Sequence, residues 1–249
     1  NMAKTNTQIV KSFKVQNELN PKIWFLDGDI YKMKPEIRKA LLEVVENYKD
    51  FTDLDLDIED ITLTGSLSNF NWSDFSDVDL HIIMDFSESN ELLKKYLDSR
   101  RIIWNSLRDV TVKDFDVEVY AQDIDEPHFA SGVYSVLYDD WIVNPTKSED
   151  VEIDTQKLLS KSREWMKKID NIETDAKRKE PLVVLDTIEK LKNKLKKYRG
   201  DGLKDEGEYS YENLTFKFLR RNEYLKKIND VRNELIDKTL TVEEKVSDI

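Results

Sequence analysis

The sequence contains no cysteine and only two histidines, His81 and His128. Without thiols the chain can form neither disulfide bonds nor a zinc site of cysteine ligands, and two imidazoles are too few for a histidine-rich metal centre. Any metal would therefore be held by carboxylates, the ligands that magnesium and manganese prefer. No apolar run approaches the roughly 20 residues that a membrane span requires. The sequence thus predicts no membrane partner and a location in the cytoplasm.

Acidic residues outnumber basic ones, but the excess is spread unevenly. The formal charge is −12 over 249 residues. The first 150 residues carry 16 basic and 30 acidic side chains, whereas the remainder carry 23 and 21. A net acidic chain is not expected to bind nucleic acid strongly and non-specifically. An acidic half that holds a metal and a mildly basic half that binds phosphate would give this distribution, as would ordinary variation in surface charge.

The most informative segment lies between two β-rich runs. Gly65 and Ser66 follow the first run, and Asp77 and Asp79 lead into the second. Alternation along a strand sends both aspartates to one face, about 7 Å apart, and sends the apolar residues to the other. Two carboxylates on one strand face beside a Gly-Ser turn are typical of a site that holds a divalent metal and a triphosphate.

Gly65-Ser66 followed by Ser76-Asp77-Val78-Asp79-Leu80 at this spacing resembles the signature of the DNA polymerase beta-like nucleotidyltransferase superfamily. The likeness covers roughly residues 58–122. Many members carry a second glycine shortly after the first, where Phe70 stands in this chain. This departure affects the expected shape of the loop more than the expected binding of metal.

The resemblance implies an enzyme that transfers a nucleoside monophosphate from an NTP to a hydroxyl acceptor and releases pyrophosphate. Such enzymes use two Mg²⁺ or Mn²⁺ ions held by three carboxylates, of which Asp77 and Asp79 would be two. A wider pattern, with Trp72, His81 and the run Glu126-Pro127-His128, is similar to uncharacterised nucleotidyltransferase-like proteins of tailed phages. The cytoplasm of an infected bacterium is therefore an expected location.

The third carboxylate is expected on a neighbouring strand. Residues 112–120 alternate strictly, which predicts a strand with Asp116, Glu118 and Tyr120 on the face opposite the core. Superfamily members carry their third metal ligand on such a strand, so the resemblance favours Glu118, with Asp116 as the substitute. An ordinary polar strand face is the alternative interpretation.

The whole pattern predicts an α+β fold. A small mixed β-sheet nucleotidyltransferase core flanked by helices is expected in residues 1–150, and a C-terminal helical domain that closes the active-site cleft in 151–249. A break is expected at Gly200-Asp201-Gly202. Helices are predicted over residues 35–50, 88–109, 154–170, 181–199 and 210–236. A β-hairpin is predicted over residues 133–143.

Phosphate contacts are predicted in both halves. A Ser66 hydroxyl and backbone N–H groups after Gly65 would meet the triphosphate at a helix N-terminus, unless the serine simply caps a turn. Asn213, Lys217 and Arg220 share one helical stripe. Related enzymes often reach the triphosphate with basic residues of their helical half, so Lys217 and Arg220 are candidates for that contact. An amphipathic helix with solvated charges is equally consistent with the stripe.

The leading hypothesis is therefore a metal-dependent nucleotidyltransferase, with an RNA 3′ end or a second nucleotide as the favoured acceptor. A catalytically inactive nucleotide- or RNA-binding module on the same fold is the main alternative. A partner-binding protein in which the carboxylates are incidental is a third.

Overall fold

The computed structural model describes residues 5–86, 91–126, 130–148 and 151–241. The chain divides into two compact units, a sheet unit of Lys14–Val151 and a helical unit that joins Asn1–Phe13 to Glu152–Ile249. The sequence-based division at 150 assigned the first residues to the sheet half, whereas here they group with the helices. The catalytic role of the first half and the cleft-closing role of the second stay predictions.

The elements alternate between strands and helices in the first part of the chain and are helical in the second. In chain order they are α1 (Asn6–Lys11), β1 (Trp24–Asp27), β2 (Ile30–Met33), α2 (Pro35–Thr52), β3 (Asp60–Thr64), β4 (Val78–Met84), α3 (Glu91–Leu107), β5 (Thr111–Val112), β6 (Phe115–Asp123), β7 (Val133–Ser135), β8 (Asp140–Val143), α4 (Thr155–Ala176), α5 (Pro181–Asp205), α6 (Tyr211–Arg221) and α7 (Tyr224–Leu240). The predicted α+β class, with a mixed sheet followed by helices, is confirmed.

Six strands form one mixed sheet in the order β5-β6-β4-β3-β7-β8, and β1 pairs with β2 in a separate hairpin. Strands β4 and β6 run parallel with α3 between them in sequence, whereas the other neighbouring pairs are antiparallel. This arrangement places β4, which carries the Asp-x-Asp motif, in the interior of the sheet between β3 and β6.

The alternation of β4 and β6 divides the sheet into an apolar face and a polar face. Leu80 and Val119 are register partners and are both completely buried. Helices α2 and α3 supply the other side of this core, where the Tyr48 hydroxyl donates to the Leu97 carbonyl and the Tyr48 ring packs edge-on against Trp104. The buried apolar face fixes the register, because a shift by one residue would turn every apolar side chain outward.

The strand predicted over 112–120 is in fact a hairpin. Strand β5 ends at Val112, the chain turns at Lys113 and Asp114, and β6 begins at Phe115. Both turn residues have positive φ, 52° and 72°, as a two-residue hairpin turn of type I′ requires. A turn of two residues leaves the two-residue alternation in phase, so the pattern alone could not show it.

Two predictions for the helical unit are wrong. Helix α5 continues through Gly200 and Gly202 without a break. A Cβ atom on Gly202 would lie 2.4 Å from Cβ of Glu212, so this glycine serves the close approach of α6 and is no helix terminator. The helix predicted over 210–236 is two helices, α6 and α7, separated at Glu223, whose φ is 60°.

Apolar side chains from all four long helices form the core of the helical unit. Trp165, Leu195 and Leu219 make one buried cluster, and a second joins α4, α5 and α7. The short helix α1 packs on α4 and α6. In the described ranges, none of the helices is both long and apolar enough to cross a membrane.

Candidate active site

Gly65 lies directly against the carboxylate of Asp79. Thr64, the last residue of β3, is the register partner of Asp79, so the chain turns beside that side chain. Gly65 has φ 76° and ψ −160°, a backbone region that is essentially restricted to glycine. A Cβ atom at this position would lie 2.0 Å from Oδ2 of Asp79. Glycine is therefore required both by the backbone conformation and by the carboxylate packed against it.

Strand register brings carboxylates of two strands together. Asp79 on β4 is the register partner of Glu118 on β6, so both side chains project from the same face as neighbours. Asp77 comes two residues before Asp79, and Asp116 two residues before Glu118, so alternation assigns both to the same side. Asp77, Asp79 and Glu118 are half-buried, whereas Asp116 is exposed. The three favoured residues thus gather at one end of the β4–β6 pair.

The Glu118 carboxylate is held by the next polar residue along its strand. The hydroxyl of Tyr120 donates to Oε2 of Glu118. The Tyr120 ring stacks on His81 with centroids 5.1 Å apart, and the guanidinium carbon of Arg101 on α3 lies 4.8 Å from the Tyr120 centroid. Burial, followed by the bond to Glu118, raises the pKa of Tyr120 well above its usual range. The phenol therefore keeps its proton and remains a donor to Glu118.

The residue types suit Mg²⁺ or Mn²⁺, although the side chains are not closed into a metal site. Across the described ranges, no group of three or more histidine, aspartate or glutamate side chains is arranged to hold a metal ion. The carboxylates of Asp77, Asp79 and Glu118 are nevertheless the donor set that these metals prefer. The missing Cβ at Gly65 makes room for the Asp79 carboxylate itself. The chemistry of these donors therefore suits such an ion, while their side chains do not surround a common position within the described ranges.

The Gly-Ser turn is tied to the residue that precedes Asp77. The predicted helix N-terminus at Ser66 is a single 3-10 turn, Ser66–Ser68, so no long helix begins there. The Ser66 hydroxyl donates to Oγ of Ser76 over 2.7 Å, and the same Ser76 oxygen accepts from the Ser73 backbone N–H at 3.0 Å. These bonds hold the two halves of the motif together.

Phe70, which replaces the expected second glycine, belongs to a loop that is anchored from outside. The Phe70 carbonyl accepts from the Gln16 backbone N–H at 2.7 Å, and the Gln16 side chain donates to the Trp72 carbonyl at 2.9 Å. Trp72 in turn donates its indole N–H to the Glu18 carbonyl at 2.8 Å. Both aromatic rings pack against the core of the sheet unit. The loop is therefore shaped by aromatic packing at the position where the sequence resemblance led us to expect a second glycine.

Comparison with known proteins adds little to this geometry. No protein-family model and no curated protein sequence matches the chain. Among solved structures it is similar to the STING-associated CdnE c-di-GMP synthase from Capnocytophaga granulosa, with 14% identity and a TM-score of 0.23, over 83% of this chain and 84% of that chain. A likeness of this size carries no argument about fold or activity. The resemblance to phage proteins stays a resemblance of sequence.

The predicted phosphate-binding residues of α6 belong to a cluster of like charge. We call this the cationic cluster; its members are Arg199, Lys217, Arg220 and Arg221. Burial lowers the pKa of Lys217, and the three arginines lower it further, while Glu208 acts in the opposite direction. Lys217 forms no hydrogen bond or ion pair with any residue that the structure describes. A desolvated cation among other cations is a position where a bound anion would be stabilising.

Arg199 and Arg101 join these sites from α5 and α3, elements outside the predicted metal and triphosphate contacts. Arg199 comes from α5 and donates its Nε–H to Oδ1 of Asn213 at 3.1 Å, which adds it to the predicted stripe of α6. Arg101 comes from α3 and lies over Tyr120. Both meet their partners across separate elements, so spacing along the chain gave no signal. His128, part of the phage-like pattern, lies outside the described residues.

Proposed function

We propose that this chain is a metal-dependent nucleotidyltransferase that moves a nucleoside monophosphate from an NTP to a hydroxyl acceptor and releases pyrophosphate. The observation that carries the proposal is the packing of the Asp79 carboxylate against Gly65, with Glu118 in register on the next strand. A glycine turn allows phosphates to approach the backbone closely, and the carboxylates beside it suit the cations that accompany a triphosphate.

In this proposal Asp77, Asp79 and Glu118 hold Mg²⁺ or Mn²⁺, with Asp116 as the substitute for Glu118. Bound there, the ions would supply acidity to the acceptor hydroxyl and neutralise charge on the phosphates. The acceptor oxygen bonds to the α-phosphorus while the bond from that phosphorus to its bridging oxygen breaks. The hydroxyl proton passes to solvent, and pyrophosphate leaves. The turn at Gly65 lets the triphosphate lie along the backbone.

Lys217 and Arg220 are proposed to bind phosphate groups of an NTP. The support is the cationic cluster itself, in which a half-buried Lys217 lies among arginines. A polyphosphate would pair with these charges through charge-assisted hydrogen bonds. The resemblance to enzymes that use basic residues of a helical half points in the same direction.

A short acceptor is proposed, either a second nucleotide or one RNA 3′ end. The formal charge of −12 disfavours binding along the backbone of a long nucleic acid, since such binding depends on neutralising many phosphates. An acceptor that is a single nucleotide or one RNA 3′ end brings fewer phosphate groups close to an acidic protein.

One observation favours a second candidate function, an inactive nucleotide- or RNA-binding module. Within the described residues the carboxylates are not arranged around a metal position, and Tyr120 already occupies one oxygen of Glu118. A binding module would retain NTP on the protein and release no pyrophosphate. The two functions therefore differ in a measurable product.

The test is an incubation of the full chain with each α-labelled NTP, Mg²⁺ or Mn²⁺, and bulk cellular RNA present or absent. Wild type is compared with Asp79→Asn, which removes a negative charge at nearly constant volume. The matched control is Asp74→Asn, because Asp74 is an exposed carboxylate of the loop that precedes β4. We expect Asp79→Asn to lose more than about 100-fold in rate, beyond the usual cost of removing a residue that only supports a metal ligand.

Label in RNA or in a new small product, formed by wild type and Asp74→Asn and lost in Asp79→Asn, would support the enzyme and identify the acceptor class. Equal labelling by all three proteins would show that the carboxylates are incidental. NTP binding without pyrophosphate release, also with host lysate added as a source of acceptor, would establish the binding module instead.

A further inference from the structure

A cleft of about 430 Å³ opens on the helical unit, within the range of ligand pockets. Its wall is mostly aliphatic and comes from all four long helices. The apolar residues that line it are Ile169, Leu191, Leu195, Phe216, Leu225 and Ile228. A ligand that packs against this wall needs an apolar body, because polar groups placed there would lose their hydrogen bonds to water.

Arg199 lines this cleft and forms no ion pair with a described residue. The guanidinium carbon of Arg199 lies 4.4 Å from the centroid of Phe216, and its Nε–H donates to Asn213. Its two terminal nitrogens form no hydrogen bond or ion pair with any of the residues described. Burial, followed by the nearby charge of Arg220, lowers the pKa of Arg199, while Glu208 opposes that change. The guanidinium is thus half-buried, and the charge of Glu208 acts on it without an ion pair to it in the described residues.

The rest of the rim adds positive charge. Lys196 is exposed at the edge of the cleft and has no partner among the described residues. Lys192 donates to Oδ1 of Asn229 at 3.0 Å, which leaves its charge in place. The one acidic residue of the lining, Glu189, already accepts from Arg232 at 2.8 Å. The cleft therefore combines an aliphatic wall with uncompensated cations at one side.

We propose that this cleft binds an organic anion with an aliphatic chain, of the class of a medium-chain carboxylic acid. The chain would lie against the aliphatic wall, and the carboxylate would accept hydrogen bonds from Arg199 and Lys196. A neutral hydrocarbon would leave the guanidinium unpaired, and an inorganic anion would leave the wall exposed. Only a ligand with both parts satisfies both observations. This site lies in the helical unit and shares Arg199 with the cationic cluster, but its aliphatic wall is independent of the proposed transferase activity.

The test is calorimetric titration of the full chain with octanoate, octanol and octylammonium, which share one chain and differ in charge. We expect octanoate to bind and the other two to bind at least about tenfold more weakly, since a hydrogen bond to a charged group commonly contributes that much or more. Equal binding of octanol, or no binding of octanoate, would overturn the proposal.

Variants locate the site. Arg199→Gln should lower the affinity for octanoate by about tenfold or more. Lys196 is exposed, so Lys196→Gln tests the proposal even if Arg199→Gln fails to fold. We expect its affinity for octanoate to fall about two- to fivefold, as is typical of exposed charge pairs. Lys194→Gln, on the same helix but outside the cleft lining, should leave the affinity unchanged. Octanoate affinity that is the same in wild type and Lys196→Gln, or that falls in Lys194→Gln, would contradict the assignment.

Discussion

The two units of this chain place their charged residues by different means. In the sheet unit, Asp79 and Glu118 are adjacent because β4 and β6 are hydrogen-bonded in a fixed register. In the helical unit, Arg199 meets Asn213 because α5 and α6 pack side by side. The first contact depends on backbone bonds between two strands, whose register the buried apolar face fixes. The second depends on which side chains allow two helices to approach.

This difference explains why the positions of charged side chains could be predicted from the sequence more completely in the sheet unit than in the helical unit. A strand has a period of two residues, so the face of each carboxylate follows directly from its position. A helix presents stripes, and a stripe of cations does not show which other helix faces it. The sheet unit can thus be tested by removing single polar contacts, whereas the helical unit is tested best through packing and burial.

Outside the proposed metal ligands, the largest effect is expected at Tyr120, the residue that holds Glu118. Tyr120→Phe removes only the hydroxyl that donates to Oε2 of Glu118, so Glu118 loses its fixed orientation. We expect Mn²⁺ affinity, measured by electron paramagnetic resonance, to fall by about 10–100-fold, the usual cost of losing a partner of a metal ligand. Tyr134→Phe is the matched control, because its hydroxyl also donates to a carboxylate, Asp139, at 2.7 Å. Equal Mn²⁺ affinity in wild type and Tyr120→Phe would show that register alone positions Glu118.

The next effect separates two glycines of α5. Gly202→Ala places a methyl group 2.4 Å from Cβ of Glu212, so we expect the free energy of unfolding to fall by about 1–3 kcal/mol. At Gly200 a Cβ would meet nothing within 4 Å, so Gly200→Ala should raise it by about 0.5–1 kcal/mol through the better helix propensity of alanine. Urea denaturation measures both. The same sign for the two variants would mean that close approach of α6 does not explain Gly202.

The smallest effect is expected at Lys217. Lys217→Met removes a cation whose pKa is lowered by burial and by three arginines, so the melting temperature should rise by about 2–4 °C if the relief is about 1 kcal/mol. The exposed Lys194→Met should change it little.

The pH dependence of this gain has a definite sign. Because the folded pKa lies below the unfolded one, the cost of Lys217 is fully present below the folded value. It disappears as pH rises toward the unfolded value of about 10.4. The advantage of Lys217→Met should therefore shrink in alkaline buffer. A constant advantage at every pH would assign the effect to packing rather than to charge.

Much of the sheet unit was predictable from the sequence. The helix from Pro35 and the strands on both sides of the Gly-Ser motif follow from periodicity, and the structure confirms them. The hairpin at Lys113 and the separate pair β1–β2 were not predicted, because a two-residue turn does not disturb alternation. In the helical unit, Gly200 and Gly202 were predicted to break a helix, whereas α5 continues through both and Gly202 allows α6 to approach closely.

By itself the sequence determined which residues share a face. Period two assigns Asp77, Asp79 and Glu118 to one side of their strands, and period 3.6 assigns Lys217 and Arg220 to one stripe. The tertiary structure alone decided what those faces meet: the α-carbon of Gly65 against Asp79, Tyr120 on Glu118, and Arg199 beside an aliphatic cleft. The physical reason is that periodicity fixes directions within one element. Distances between elements are set by register and packing, to which residues far apart in the chain contribute together.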